Sequence, residues 1–231
     1  MATVKAARVT RPERTIVAID GPAASGKGTL ARLIAVHYGL RLLDTGLLYR
    51  AVARDALANG RSLDDLEAIV TAAQMIDHRT LVDACLRTDQ AGEAASVVAR
   101  IPKVRAALLD YQRRFAAVAP GAVLDGRDIG TVVCPDADAK IYVYASVEER
   151  ARRRHSELAA RGIALELAEV ERQIRTRDHR DTTRETAPLR AAADAYLLDT
   201  TDLAIEAAFR FAVAFIDGRT GRLGQASQGL A

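Results

Sequence analysis

The chain has 231 residues, of which 49% are apolar and 27% charged, with a formal net charge of +3. This length and apolar content allow one α/β core without disulfides, so we expect a single domain with insertions. Cys85 and Cys134 lack the paired spacing of a zinc or redox site, and the longest apolar run, Phe211 to Ile216, is far shorter than a membrane span of about 20 residues, so we expect a cytoplasmic protein with no membrane partner.

Short β-like segments alternate with helical patterns along the chain. This alternation predicts an α/β fold with a parallel five-stranded sheet flanked by helices. In open sheets of this kind the ligand lies beyond the carboxyl ends of the strands, so we expect the functional residues there. The predicted strands are Thr15 to Asp20, Arg41 to Leu43, Ala122 to Asp125, Lys140 to Ala145 and Leu197 to Asp199, and a helix is predicted from Leu30 to Tyr38.

Two stretches between predicted strands are longer than the single connecting helix that a minimal α/β sheet requires. Helical segments fill residues 57–119, and a charged helical stretch fills residues 148–188; both are predicted to be insertions that close over substrates. The core is then expected at about 15–56, 120–147 and 195–217. Residues 1–13 contain no apolar stretch typical of a secretory signal, and we expect 1–13 and 218–231 to be mobile ends.

A glycine-rich segment lies between the first predicted strand and the first predicted helix. This order predicts a phosphate cradle, because small residues let backbone N–H groups point inward and the helix N-terminus adds positive potential. Lys27 supplies a mobile positive charge for the β- and γ-phosphates of a nucleoside triphosphate. The segment consists of Gly21, Pro22, Ala23, Ala24, Ser25, Gly26, Lys27, Gly28 and Thr29.

The residue that follows the cradle lysine indicates which class of nucleotide-binding protein the chain resembles. The usual pattern has Ser or Thr there, but this chain has Gly28 and delays the hydroxyl to Thr29. A shift of one residue turns a helical side chain by about 100°, so we do not expect Thr29 to ligate magnesium directly. This G-K-G-T form resembles that of nucleoside monophosphate kinases and departs from that of GTPases.

Three further motifs are ambiguous when each is taken alone. The segment DTGLLYR is a common turn with a helix cap, although Arg50 is well placed to capture a second phosphate. DGRD at residues 125–128 is either a tight turn or part of the same site. Arg177, Asp181 and Arg184 share one helical face, which also fits an ion-pair ladder on a solvated helix.

Arginine is concentrated between Arg150 and Arg190, a stretch without aromatic residues. Nucleic-acid-binding segments usually interleave aromatic side chains for stacking. We therefore expect small phosphorylated substrates and no nucleic-acid partner.

Taken together, the motifs are much more specific. GPAASGKGT, DTGLLYR, AASVVARIPKVR, DGRDIGTVVCPDA and RDHRDTTRxxxPL occur in the order seen in bacterial cytidylate kinases, which the chain resembles from about Ile16 to Phe215. The resemblance implies a P-loop NTPase-type fold with a helical acceptor-binding insertion and a lid. It also implies transfer of the γ-phosphoryl group of ATP to CMP or dCMP with Mg²⁺.

The resemblance assigns the acceptor site residue by residue. It makes Arg50 and Arg127 ligands of the acceptor phosphate. It places Thr45, Tyr49, Arg177 and Asp181 near the ribose and phosphate, and Ser96, Arg105, Asp128 and Arg184 around the cytosine. The base assignment fits cytosine chemically, because a carboxylate accepts from the N4 amino group, whereas uracil presents a carbonyl oxygen there.

On the donor side, Arg150, Arg153 and Arg154 resemble the family's lid arginines, although each could instead be a solvated surface residue. Asp125, at a strand end beside the cradle, is predicted to hold magnesium through water. No general base is needed, because the acceptor phosphate is ionised near neutral pH. Catalysis should then depend on placement and on charge neutralisation by Lys27, Arg127 and Arg50.

Other functions share parts of this pattern. A kinase for UMP, AMP or shikimate would have the same cradle, and a non-catalytic module would bind ATP without an acceptor. A GTPase-like switch would carry an N-K-x-D segment, which the sequence lacks. We expect a monomer, and the stretch from Asp77 to Gly92 is predicted to be too short for the small antiparallel sheet of many cytidylate kinases.

Overall fold

Five parallel strands form the centre of the molecule. The structure, a computed structural model, describes residues 14–58, 62, 63, 65–77, 81 and 84–221. The sheet order is β2-β3-β1-β4-β5, which confirms the predicted parallel α/β sheet. The strands are β1 (Thr15–Asp20), β2 (Arg41–Asp44), β3 (Gly121–Gly126), β4 (Ala139–Tyr144) and β5 (Tyr196–Asp199).

Helices connect and cover these strands. They are α1 (Lys27–Tyr38), α2 (Thr45–Ala58), α3 (Leu66–Gln74), α4 (Asp89–Val98), α5 (Pro102–Ala117), α6 (Val147–Ala160), α7 (Leu167–Thr183) and α8 (Ile205–Thr220). A 3-10 turn spans Ala84–Arg87 and a π-helical turn spans Ile129–Val133. Helix α1 begins at Lys27 rather than at the predicted Leu30, because Gly26 is its N-cap residue and adopts the left-handed region with φ 83°.

The strands are buried on both faces, as expected of a parallel sheet covered by helices. Side chains alternate along β1, so that Val17 and Ile19 pack with α1 and α8, whereas Ala18 packs with α2, α3 and α5. The apolar runs that predict the strands therefore supply two layers of core.

The predicted insertions differ in how they relate to this core. Helix α5, within residues 57–119, packs on the sheet through Val104 and Leu108 and so also covers the core. Helices α6 and α7 form a separate small cluster around Leu158 and Ile174. They are thus positioned as a distinct layer beside the cradle.

The described residues between 77 and 92 contain a 3-10 turn and no strand. Gly218 to Thr220, predicted to belong to a mobile end, form the last turn of α8. Residues 1–13 and 222–231 of the predicted ends lie outside the described residues. Within the described part of the chain, no helix is long and apolar enough to cross a bilayer.

The contribution of core packing to stability can be tested by replacing leucine with alanine at a buried and at an exposed position. Leu124 on β3 is fully buried, whereas Leu197 on the edge strand β5 is 57% exposed. Leu124→Ala should lower the free energy of unfolding by about 2–5 kcal/mol, because it removes packing and leaves a cavity. Leu197→Ala should change it by less than about 0.5 kcal/mol. Chemical denaturation measures both, and equal losses would contradict this assignment of the core.

Candidate active site

A cleft of about 660 Å³ opens where the carboxyl ends of the strands meet the start of α1. Backbone and side chains of the cradle form one wall, and residues of α2, α4 and α7 form the others. A smaller pocket of about 50 Å³ adjoins it, and Arg127 and Arg177 line both. Together the two cavities are lined by every predicted acceptor-binding residue and by Lys27.

The cradle is shaped by backbone conformations that few residues adopt. Gly21 has φ 152°, and a Cβ there would lie 2.0 Å from the carbonyl oxygen of Val143, so only glycine fits against β4. Ala24 has φ 60°, a left-handed conformation that costs a non-glycine residue on the order of 1 kcal/mol. This strained backbone directs the loop around the space in front of α1.

Two residues outside the loop hold its carbonyl groups. Thr200, just after β5, places its hydroxyl 3.0 Å from the carbonyl oxygen of Ser25. Arg150 donates to the carbonyl oxygen of Ala23 at 3.3 Å. Fixing the carbonyls on the outside leaves N–H groups of the loop for a phosphate inside.

Lys27 and Asp125 lie together at the base of the cleft. Lys27 Nζ donates to the carbonyl oxygen of Pro22 at 3.2 Å and lies 3.9 Å from Asp125 Oδ1. Burial, with the nearby charge of Arg127, lowers the pKa of Lys27 to about 8. Burial raises the pKa of Asp125 to about 6 against the opposing effect of Lys27. The protonation states of Lys27 and Asp125 therefore depend on each other.

Steric crowding explains why a glycine, Gly28, follows Lys27. A Cβ at Gly28 would lie 3.2 Å from Asp125 Oδ2, so a serine or threonine here would press on the carboxylate. Thr29 is exposed, with Oγ1 3.5 Å from a guanidinium nitrogen of Arg32. In this loop the carboxylate of Asp125 takes the space that a side chain at position 28 would need.

Three arginines converge on the part of the cleft opposite the cradle. Arg50 donates to the carbonyl oxygens of Leu86 at 2.8 Å and Thr88 at 2.9 Å. Arg127 donates through Nε to Asp181 at 3.0 Å. Burial, together with Arg127 and Arg50, lowers the pKa of Arg177 to about 10. Positive charge crowded out of water in this way favours an anionic ligand.

Asp181 is the buried counter-charge of this group. Burial acts to raise its pKa, but Arg127, Arg177 and Arg184 outweigh it and hold the pKa below its ordinary value. Asp181 is thus ionised, and it balances only part of the surrounding positive charge.

The smaller pocket is built around the buried carboxylate of Asp128. Arg105 hydrogen-bonds to this carboxylate, and Arg184 Nη2 lies 3.6 Å from its other oxygen. Arg105 also lies over the ring of Tyr49 at 5.5 Å. Within the described part of the chain, Ser96 Oγ and Arg184 Nη2 are buried without a hydrogen-bond partner. Buried donors are rarely left unsatisfied in native proteins, so these two atoms next to the carboxylate are available to a polar ligand.

The three predicted lid arginines occupy different environments. Arg150 is only 4% exposed and bonds to Ala145, Ala23 and Asp178. Arg153 is held by Glu149 and Thr200. Arg154 lines the cleft. Only the last of these side chains borders the open space in this conformation.

Sequence reasoning did not identify Asp20 or Thr200 as site residues. Asp20 accepts hydrogen bonds from the backbone N–H groups of Ile129 and Gly130, both at 2.8 Å. Burial raises its pKa to about 7 although these bonds lower it. Their position in the sequence could have identified Asp20 and Thr200, because both stand at the ends of strands, at the sheet edge where ligands bind.

Comparison with known proteins identifies one family along most of the chain. The family model described as cytidylate kinase matches residues 17–216. Cytidylate kinases from Methylocella silvestris and Rhodopseudomonas palustris strain BisB18 are 58% and 54% identical, covering 87% and 90% of this chain and 94% and 98% of their own lengths. One from Brucella suis is 56% identical, with 87% and 92% covered.

Among solved structures, an uncharacterized protein from Eubacterium ventriosum is similar with a TM-score of 0.53 at 15% identity. The match covers 89% of this chain and 99% of that one. This likeness concerns the fold alone.

Proposed function

The chain belongs to the cytidylate kinase family, and as a nucleoside monophosphate kinase it phosphorylates CMP or dCMP with ATP as donor; we propose that the smaller pocket selects cytosine and that the cleft performs the transfer. The observation that carries this proposal is that the two cavities share Arg127 and Arg177. A ligand with its base in the smaller pocket would therefore present its phosphate to the cradle across these arginines.

Cytosine suits the charge pattern of the smaller pocket. Asp128 can accept from the exocyclic N4 amino group, and Arg184 and Ser96 can donate to the N3 and O2 acceptors. Uracil would place a carbonyl oxygen against the buried carboxylate and leave it unpaired, which is costly in a site shielded from water. We propose that Arg105 supports this arrangement by fixing the Asp128 carboxylate between two cations.

The acceptor phosphate is proposed to lie among Arg50, Arg127 and Arg177. These three side chains are held by backbone carbonyls, by Asp181 and by burial, so little reorganisation is needed when an anion enters. Thr45 and Tyr49, at the start of α2, would then border the ribose. The attacking oxygen is already ionised, so placement and charge neutralisation carry the reaction.

The ATP phosphates are proposed to lie in the cradle, with Lys27 on the β- and γ-phosphates. Of the lid arginines, Arg154 already borders the cleft and Arg153 lies beside the loop, since a Cβ on Gly26 would be 3.8 Å from its Nη1. Arg150 contacts the outside of the cradle instead. We therefore propose Arg153 and Arg154 as donor ligands and Arg150 as a support of the loop.

The residues present fit a magnesium ion held mainly by phosphates and water. Asp125 Oδ1 is buried and without a hydrogen-bond partner among the described residues, and it points into the site beside Lys27. Those residues contain no group of three or more acidic, histidine or cysteine side chains that would form an all-protein metal cage. When bound, Mg²⁺ would neutralise developing charge on the transferred phosphoryl group, and Asp125 would orient one of its waters.

We also propose that the protein works as a cytoplasmic monomer on small molecules, without a nucleic-acid partner. The arginine-rich stretch supports the absence of a nucleic-acid partner, because two of its exposed arginines pair with carboxylates of the same chain. Arg172 pairs with Glu169, and Arg175 pairs with Glu171 and Glu148.

The acceptor assignment is tested by a coupled assay of ADP formation with CMP, dCMP, UMP and AMP. The native chain should prefer CMP over UMP by about 100-fold or more in kcat/KM, because a hydrogen-bonding site rejects a ligand that leaves it unpaired. Asp128→Ala should lower kcat/KM for CMP by about 100-fold and bring CMP and UMP within about tenfold of each other.

Asp136→Ala is the matched control, because Asp136 is exposed and lies on the same segment after β3. It should leave acceptor preference unchanged. Retention of the native CMP preference by Asp128→Ala would exclude Asp128 as the residue that reads the base.

The magnesium assignment is tested with Asp125→Asn. The Mg²⁺ concentration for half-maximal rate should rise by about tenfold or more, because a residue that orients metal-bound water commonly contributes that much to metal affinity. Asp199→Asn, at the carboxyl end of the edge strand β5, is the control and should leave the Mg²⁺ dependence unchanged. A raised KM for ATP with unaltered Mg²⁺ dependence would mean that Asp125 serves only as the partner of Lys27.

The lid assignment is tested by comparing neighbouring arginines on α6. Arg154→Ala should raise KM for ATP by about tenfold, the loss expected for one charge-assisted hydrogen bond to phosphate. Arg152→Ala should stay within about twofold, because Arg152 is exposed and pairs with Glu149. Equal effects of the two substitutions would show a general loss of positive potential rather than a contact.

A further inference from the structure

Asp20 is a buried carboxylate whose position none of the proposed roles explains. It ends β1 directly before Gly21, it is 4% exposed, and its two oxygens each accept one backbone N–H, from Ile129 and Gly130. Burial raises the pKa of Asp20, and the negative charges of Asp128 and Asp125 raise it further. Such a carboxylate is costly to bury, so its contacts call for a function.

The two N–H groups open the π-helical turn Ile129–Val133, and Asp128 stands at the capping position of that turn. An aspartate at such a position ordinarily accepts a hydrogen bond from the second or third N–H group of the helix, here that of Gly130 or Thr131. Asp128 makes no such capping hydrogen bond, and the N–H of Gly130 is donated to Asp20 instead, together with that of Ile129. The carboxylate of Asp128 is thereby left to face Arg105 and Arg184.

The fit around this contact is tight. A Cβ at Gly130 would lie 3.4 Å from Asp20 Oδ2 and 3.2 Å from Cδ of Lys140. Gly130 therefore lets the turn approach the end of β1 closely. Since β1 continues into the cradle, the contact joins the cradle to the turn that directly follows Arg127 and Asp128.

We propose that Asp20 is a positioning residue for acceptor selection, which caps the turn after β3 from a neighbouring strand and so frees Asp128 to read the base. This inference rests on the proposed role of Asp128. Asp20 itself touches neither substrate.

The test is Asp20→Asn, which keeps the shape but offers one oxygen acceptor and one amide donor to two N–H groups. KM for CMP should rise by about tenfold, and the preference for CMP over UMP should fall by a similar factor. KM for ATP should change by less than about threefold, because Asp20 does not contact the inside of the cradle. Gly130→Ala, which places a methyl group against Lys140 and beside Asp20 Oδ2, should shift the same two quantities in the same direction.

Asp138→Asn is the matched control. Asp138 accepts the backbone N–H of Ile16 at 2.7 Å, so it makes the same kind of contact at the opposite end of β1. It should leave both KM values and the acceptor preference unchanged, while thermal unfolding reports any general loss of stability in all three variants.

A folded Asp20→Asn with native KM for CMP and native base preference would overturn the inference, as would equal rises in KM for CMP and ATP. Should Asp20→Asn not fold, Gly130→Ala decides on the same measurements. The Asp128→Ala variant separates the two proposals. Loss of preference in Asp128→Ala but not in Asp20→Asn refutes only the positioning role, whereas its retention in Asp128→Ala refutes the base assignment itself.

Discussion

The site depends on burying several arginines at one edge of a parallel sheet with too few carboxylates to balance them. Asp181 serves Arg127, and Asp128 is shared by Arg105 and Arg184. Removing a guanidinium from water is costly unless it is paired, so this imbalance leaves buried positive charge that an anion would stabilise. In the proposed arrangement, an acceptor carrying a phosphate dianion supplies the missing negative charge, which concentrates binding energy where the phosphoryl group would be transferred.

The backbone makes this concentration of charge possible. Parallel strands end at a common edge, so residues far apart in the chain, such as Asp20, Asp44 and Asp125, come together without long loops. The cradle adds a rigid set of N–H groups, stabilised from outside by Thr200 and Arg150. Rigid placement matters for the proposed transfer, because that transfer depends on position and charge rather than on a protein proton acceptor.

The strands and the cradle could be predicted from sequence because their signals are local, namely apolar runs and small residues at fixed spacing. The acceptor residues could be placed only through the whole set of motifs, since DGRD or DTG alone fits an ordinary turn. Asp20 was missed because its partners are more than 100 residues away in the chain, at Ile129 and Gly130. The inward orientation of the Arg150 side chain also could not be predicted from the sequence, because the packing of α6 against α7 determines it.

The two cavities are linked by electrostatics as well as by shared walls. Burial is the main cause of the low pKa of Lys27, and the positive charges of Arg127 and Arg177 lower it further. An acceptor phosphate bound between those arginines, as proposed, offsets their charge and favours the protonated lysine. Protonated Lys27 in turn binds the donor phosphates more strongly, so at a pH above about 8, where Lys27 would otherwise lose its proton, an acceptor in the smaller pocket favours ATP in the cradle. By linkage the effect is reciprocal, and ATP in the cradle strengthens acceptor binding by the same factor.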